Sequence, residues 1–296
     1  MTMHPNRRSS GTELLALSSK KDTVRRLAVL LSAIAAVMGS FIGSGAACGT
    51  PIAQAAGGAL GPNATLMAPA VPAFSVWSVI YLGSCAYAMW QILPGRALST
   101  RQRRLGYPVA ASLLLNAGWI FAIQAGNLAL SVAVIALLIA VLSWIFTLCV
   151  RMRPQSLVEA AICDGTLGLY LGWICVAAAA NVSALLVTVG FSGWGIQPAV
   201  WAWFVLAVAG LIGVGLAVYG QGRLAPAATL IWGLGWVAVS RLSGDLPSVP
   251  AALAAMIAAV GVAVVTLAVR FASGRRVNLE SSRLPSASAS VRGRAL

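Results

Sequence analysis

Three long stretches of this chain contain no Asp, Glu, Lys or Arg: residues 27–95, 105–150 and 165–222. A soluble fold cannot cover its surface with so few charges, because contiguous exposed apolar surface drives association. A helix needs about 20 mostly apolar residues to cross the hydrocarbon core of a bilayer, so each stretch holds two spans. Composition agrees: 59% of residues are apolar and 9% charged, against roughly 45–50% and about 25% in soluble domains. The chain therefore reads as all-α, a polytopic integral membrane helical bundle. This excludes a soluble enzyme, a secreted disulfide scaffold, and a nucleic-acid partner for the net charge of +14.

Turn signals divide the stretches into about eight transmembrane helices. The expected spans are 27–47, 74–93, 107–125, 128–150, 157–180, 198–219, 224–240 and 251–269. Gly126-Asn127 is a strong turn dipeptide between the third and fourth. A basic leader, 1–26, precedes the first span, which reads as a retained anchor because its apolar run outlasts a signal-peptide core. The segment 271–296 is Ser/Arg-rich, has few large apolar groups, and is expected to be disordered.

The cations orient the bundle. With eight spans, 19 of the 20 Lys and Arg fall on one face, and only Arg241 lies opposite. The positive-inside rule makes that face cytoplasmic, with both termini on it. The positive charge then sits beside anionic lipid headgroups. Arg outnumbers Lys 18 to 2, which with the Ala and Gly richness suggests a GC-rich bacterial genome and hence the bacterial inner membrane.

Much chemistry is missing from the sequence. The only histidine is His4, so no His-based metal site, haem ligation or catalytic triad can be assembled. Cys48, Cys85, Cys149, Cys163 and Cys175 show no CxxC spacing and read as small apolar filler. No Gly-rich phosphate loop with Lys-Ser/Thr is present. No metal site and no cofactor are expected, and an enzyme acting on a bound pigment would lack a general base.

Tryptophans, intramembrane amides and one acid remain. Trp77, Trp119, Trp173, Trp194, Trp201, Trp203 and Trp236 map to the half of the bundle away from the cations. For Trp194, Trp201 and Trp203, interfacial anchoring suffices. Trp119 and Trp173 lie turns inside their spans, where an indole N–H needs a partner, and read as cavity lining or helix packing. Asn116 shares a helix face with Trp119, and Asn181 nearly shares one with Trp173. They are either interhelical clasps or the polar part of one aromatic pocket. Asp164 is the only acid well inside a span. It is a candidate proton site, or a carboxylate paired with Arg151, Arg153 or the cations of 96–104. Glu159, at the interface, is expected to be solvated. The small-residue runs Gly39-xxx-Gly43, Gly168-xxx-Gly172 and Gly210, Gly213, Gly215 permit close helix approach, within the chain or in a dimer.

From about 27 to 186 the chain resembles the tryptophan-rich sensory protein/translocator protein family, also called the peripheral benzodiazepine receptor family. The matching pieces are Pro72-Ala-Phe-Ser-Val-Trp77-Ser-Val-Ile-Tyr81, Leu115-Asn116-Ala-Gly-Trp119, and Tyr170-Leu-Gly-Trp173-Ile-Cys-Val-Ala177 with Asn181. They occur in the family's order and in matching spans. The resemblance implies a five-helix core, 27–186, with an outer-half pocket for tetrapyrroles, sterol-like lipids or synthetic aromatic ligands. It also implies a role in transport, stress sensing or porphyrin handling, and a homodimer. Carried over, Trp77, Tyr81, Asn116, Trp119, Tyr170, Trp173 and Asn181 form or support the pocket. The sequence departs from the family in lacking its Trp-x-Pro-Pro before the second span, where Pro69-Ala-Val-Pro72 stands instead. Residues 187–270 add three spans to the usual five.

The leading expectation is a non-enzymatic membrane sensor or carrier that binds a flat, hydrophobic small molecule by stacking on Trp and Tyr, with lipids as its other partner. The alternative is a proton-coupled secondary transporter using Asp164.

Overall fold

The structure, a computed structural model, describes residues 20–283 apart from positions 94 and 97, with side chains described through residue 275. Among the described residues there are eight long helices and no strands. They are α1 Lys20–Gly43, α2 Val76–Trp90 (entered through a 3-10 turn, Val71–Ser75), α3 Thr100–Gln124, α4 Leu128–Arg151, α5 Leu157–Thr188, α6 Pro198–Tyr219, α7 Leu224–Ser243 and α8 Val249–Arg283.

Four helices, α3 to α6, begin where the chain can satisfy a free N–H group or dispense with one. Ser99, Asn127 and Ser156 cap α3, α4 and α5, their side chains accepting from the N–H of Gln102, Leu130 and Glu159. Pro198 opens α6 at the one position where a missing N–H costs nothing. In a bilayer this accounting is strict, since no water replaces a lost backbone partner.

Seven of these helices are long and apolar enough by themselves to cross a membrane. The eighth, α7, is diluted by Pro226, Thr229, Ser240 and Arg241. It still joins the two ends of the bundle, because its length of 20 residues corresponds to about 30 Å at 1.5 Å per residue. Arg223, just before it, donates to Asp164 at the cation-rich end, while Arg241 reaches Pro62 at the other.

The helix ends differ from the sequence reading in four places, one being α5, which runs on past 180 to Thr188. Lys20–Arg26, assigned to the leader, are the first turns of α1, because Asp22 there pairs with Arg25 and Arg103 and is buried. Arg101, Arg103 and Arg104, expected in a loop, lie in the first turns of α3, which runs on through Pro108. The last helix continues to Arg283, so 271–283 is helical rather than disordered, extending a helix already nucleated and held by packing. Residues 1–19 and 284–296, the rest of the expected leader and tail, lie outside the described residues.

Helices α1–α5 close a ring in the order α1, α3, α4, α5, α2, so that α1 lies against both α3 and α2. The remaining three attach through α7, which lies against both α5 and α8, while α8 packs along α6. Glycine makes this attachment close. A Cβ at Gly172 would stand 2.0 Å from the Pro226 carbonyl oxygen, and one at Gly168 would meet Ala225 and Pro226. Thr229 of α7 donates to the Leu169 carbonyl, 2.6 Å away, across the same seam. Gly39 and Gly43 likewise face α3, and Gly210 and Gly213 face α8. The small-residue faces that could have served a dimer are thus occupied within the chain, except that Gly215 has open space around it.

Replacing Gly172 by Ala should wedge α5 from α7 at a cost of about 1–3 kcal/mol, or roughly 2–4 °C in melting temperature per kcal/mol. Gly118→Ala, in open space, should leave the detergent melting temperature unchanged. Equal melting temperatures for the two variants would contradict the packing described.

Candidate functional site

At the end of the bundle away from the cations, α1, α2 and α3 line a cavity of about 520 Å³. Its wall is aromatic on the α2 side because Phe74, Trp77 and Tyr81 follow one another at spacings of three and four residues. The opposite wall is Val37, Phe41 and Gly43 of α1, with Trp119 and Ile120 of α3 at the back and Pro51-Ile52 above. Trp77 and Tyr81 stack at 5.3 Å between ring centroids. Trp77 also meets Tyr170 and Trp173 edge-on at 5.7 and 6.3 Å, and Phe74 meets Trp173 edge-on at 5.8 Å.

The seven residues expected at a pocket thus divide into two layers. Trp77, Tyr81 and Trp119 line the cavity. Asn116, Tyr170, Trp173 and Asn181 are almost wholly buried behind it. Asn116 accepts the Tyr81 hydroxyl at 3.1 Å, and Tyr170 donates to the Ser112 carbonyl at 3.2 Å. Asn181 accepts the Trp119 indole N–H at 2.9 Å and donates to the Ser131 hydroxyl at 2.8 Å. It sits inside α5 rather than at its end. Both amides therefore act as clasps that set an aromatic ring, so the two open readings of them merge. The Trp173 indole N–H and the Asn116 amide nitrogen have no hydrogen-bond partner among the described residues. Phe74 and Ile120 were not singled out in the sequence, although Phe74 lies within the matching segment.

Asp164 lies at the other end, in a π-helical stretch, Ala160–Gly165, that interrupts α5. Such bulges rotate the following turns and re-aim side chains. One carboxylate oxygen takes the Arg101 guanidinium and the other takes Arg223 at 2.7 Å. Arg101 also donates to Glu159 at 2.8 Å, and Gln102 donates to Glu159 at 2.9 Å. Glu159, expected to be solvated, is 1% exposed. The expected partner from 96–104 is Arg101, and Arg223 adds a second that chain order gave no reason to anticipate. Both oxygens of Asp164 are thus held by guanidinium groups. The thiols of Cys149 and Cys163 lie with the Asp164 carboxylate inside 4.8 Å, yet a cation there would face the same two arginines.

The fold and its cavity define the class: a multi-pass helical membrane protein with a ligand-sized aromatic cavity in its first five helices. The chain belongs to the family of TSPO-like proteins, whose model matches residues 27–269. That match takes in α6 and α7 and the membrane part of α8, so the added helices belong to the family's pattern in this chain. No match is found among the curated proteins or the solved structures. Family membership makes it a membrane sensor or binding protein.

Asp164→Asn leaves Arg223 without its counter-charge and Arg101 with Glu159 alone, and breaking such a buried pair costs about 3–5 kcal/mol. The variant should lose its monodisperse peak in size-exclusion chromatography or melt well below wild type. Arg153→Ala, at an exposed position, should behave as wild type. A fully stable Asp164→Asn protein would contradict the structural role of this pairing.

Proposed function

We propose that this protein binds a flat, predominantly apolar molecule, a tetrapyrrole or a sterol-like lipid, in the cavity between α1, α2 and α3, and acts as a sensor or carrier for it. The reading rests on one observation above all: Trp77, Tyr81 and Trp119 present their rings to a cavity of about 520 Å³. That volume falls within the roughly 300–1,000 Å³ of small-molecule sites. Stacking on Trp77 and Trp119 supplies the affinity, and offset or edge-on ring contacts add about 0.5–1.5 kcal/mol each beyond burial.

Polar selectivity comes from few atoms. No charged side chain lines the cavity, and its hydroxyls are those of Ser40, Ser44, Ser78 and Tyr81. Asn116 and Asn181 act at one remove, by fixing Tyr81 and Trp119. The ligand enters from the membrane or the interface, because Ser78 and Val71 at the rim are exposed, and the carboxylates of a tetrapyrrole stay in water at that rim while its ring system enters. The cation-rich end faces the cytoplasm of a bacterial cell, which puts the cavity in the outer half of the inner membrane. A homodimer, if formed, would use lipid-facing surface rather than the glycine seams.

Titrating protoporphyrin IX into the purified full-length protein should quench tryptophan fluorescence saturably. Trp77→Ala and Ser78→Trp, which remove a wall and fill the space, should each weaken binding at least about tenfold, equivalent to 1.4 kcal/mol. Trp144→Phe, on an exposed position, should bind as wild type. Wild-type affinity in both cavity variants would rule the cavity out.

A further inference from the structure

A second cavity, also of about 520 Å³, lies at the same end of the bundle and shares no lining residue with the first. One wall is the end of α5 and the start of α6, with Val187, Phe191, Trp201 and Val205; the other is Thr65–Met67. We propose that this is a second ligand site, for a neutral, predominantly apolar molecule carrying a single hydrogen-bonding group.

Charge selects the class of occupant. No lining residue is charged, so an ionised ligand would be stripped of water with nothing to replace it. Thr65 supplies the one buried, uncommitted polar side chain among the lining residues. It is more than nine-tenths buried, and its hydroxyl has no hydrogen-bond partner among the described residues. Ser183, by contrast, already donates to the Ala179 carbonyl. A buried hydroxyl left unmet is unfavourable, and a ligand hydroxyl or carbonyl would meet it.

Both walls are held in place by the protein itself. On one side Trp201 donates its indole N–H to the Gly193 carbonyl at 3.0 Å. Phe191 and Trp194 pack against the Trp201 ring at 5.8 and 5.7 Å. Gly193, Trp194 and Gly195 all take positive φ, at 70°, 54° and 77°. Glycine adopts this readily, but a tryptophan does so only where its surroundings enforce it, a kind of strain that gathers at ligand clamps. On the other side Arg241, buried and without a carboxylate partner among the described residues, donates to the Pro62 carbonyl. Asn63 donates to Asp245 at 2.8 Å, and the Ala70 N–H reaches the Trp236 carbonyl at 3.2 Å. The segment 62–70 is thereby fastened to α7 and the loop after it. The site thus depends on the added helices, which the first cavity does not use.

The test uses full-length protein in nanodiscs, a diazirine-bearing octadecanol analogue as the neutral probe, and the matching fatty acid as the charged one. Labelled residues are mapped by mass spectrometry. The alcohol should label 64–67 and 186–205 saturably, and excess octadecanol should compete. The acid should label this region at least about fivefold less. Thr65→Val should raise the half-saturating alcohol concentration about fivefold, the worth of one hydrogen bond, and Thr65→Ser should restore it. Val187→Trp, which fills the cavity from an exposed position at its rim, should abolish the labelling while protoporphyrin quenching persists. Trp77→Ala should leave the labelling intact, so failure at one cavity does not decide the other. Labelling that never saturates, that spreads evenly over the lipid-facing helices, or that is as strong with the acid would overturn the proposal.

Discussion

Burying the Asp164 carboxylate obliges the chain to bring two arginines to it, and the rest of the cation-rich end is arranged around that obligation. An isolated carboxylate is costly in so apolar a setting, whereas one held by good hydrogen bonds on both oxygens is tolerated. Arg101 comes from the first turn of α3, and Arg223 from the turn before α7. One side chain on α5 therefore ties the five-helix core to the added helices. The π-helical stretch that holds Asp164 also changes the rotation of everything beyond it on α5, including Tyr170, Trp173 and Asn181.

From that pinned end the fifth helix runs as the shared wall of two assemblies. On one side its glycines let α7 approach until the backbone of Pro226 nearly touches Gly172. On the other its rings buttress Trp77, and its Asn181 sets Trp119. Between helices in lipid there is little hydrophobic driving force, so close packing and hydrogen bonds do this work, the latter at roughly 0.6–2 kcal/mol each. The first cavity lies beside the close seam of α1 and α3, where Gly39 and Gly43 meet Ala117 and Ile120, and the rings of Phe74, Trp77 and Tyr81 form its other wall. Asp22, Arg25 and Arg103 tie α1 to α3 at the opposite end.

The residues that could be picked from the sequence were those whose chemistry is unusual for a membrane interior. Trp119, Trp173, Asn116, Asn181 and Asp164 stand out against Ala, Leu and Val, and the order of the motifs around them pointed to the family. Their division into lining and supporting layers was not legible, because several spans are apolar nearly all round and give no face to read. Phe74 and Ile120 escaped notice for the opposite reason: ordinary apolar residues carry no mark of facing a void. Glu159 was misread because its position near a helix start suits a solvated acid, and only Arg101 and Gln102 from another helix make it a buried one.

The sequence by itself determined the number of long helices, their approximate ends and the segregation of charge to one end of the bundle. Those follow from local rules: about 20 apolar residues cross a bilayer, and charges stay at the ends of what crosses. Tertiary structure alone decided how each helix is rotated and which neighbour it meets. That choice turned Gly168 and Gly172 toward α7 rather than a second copy, committed Asn181 to Trp119 and Ser131, and joined Asp164 to an arginine 59 residues away. Rotation is set by the fit of many side chains at once, each contact worth little alone, and no single stretch of sequence holds that sum.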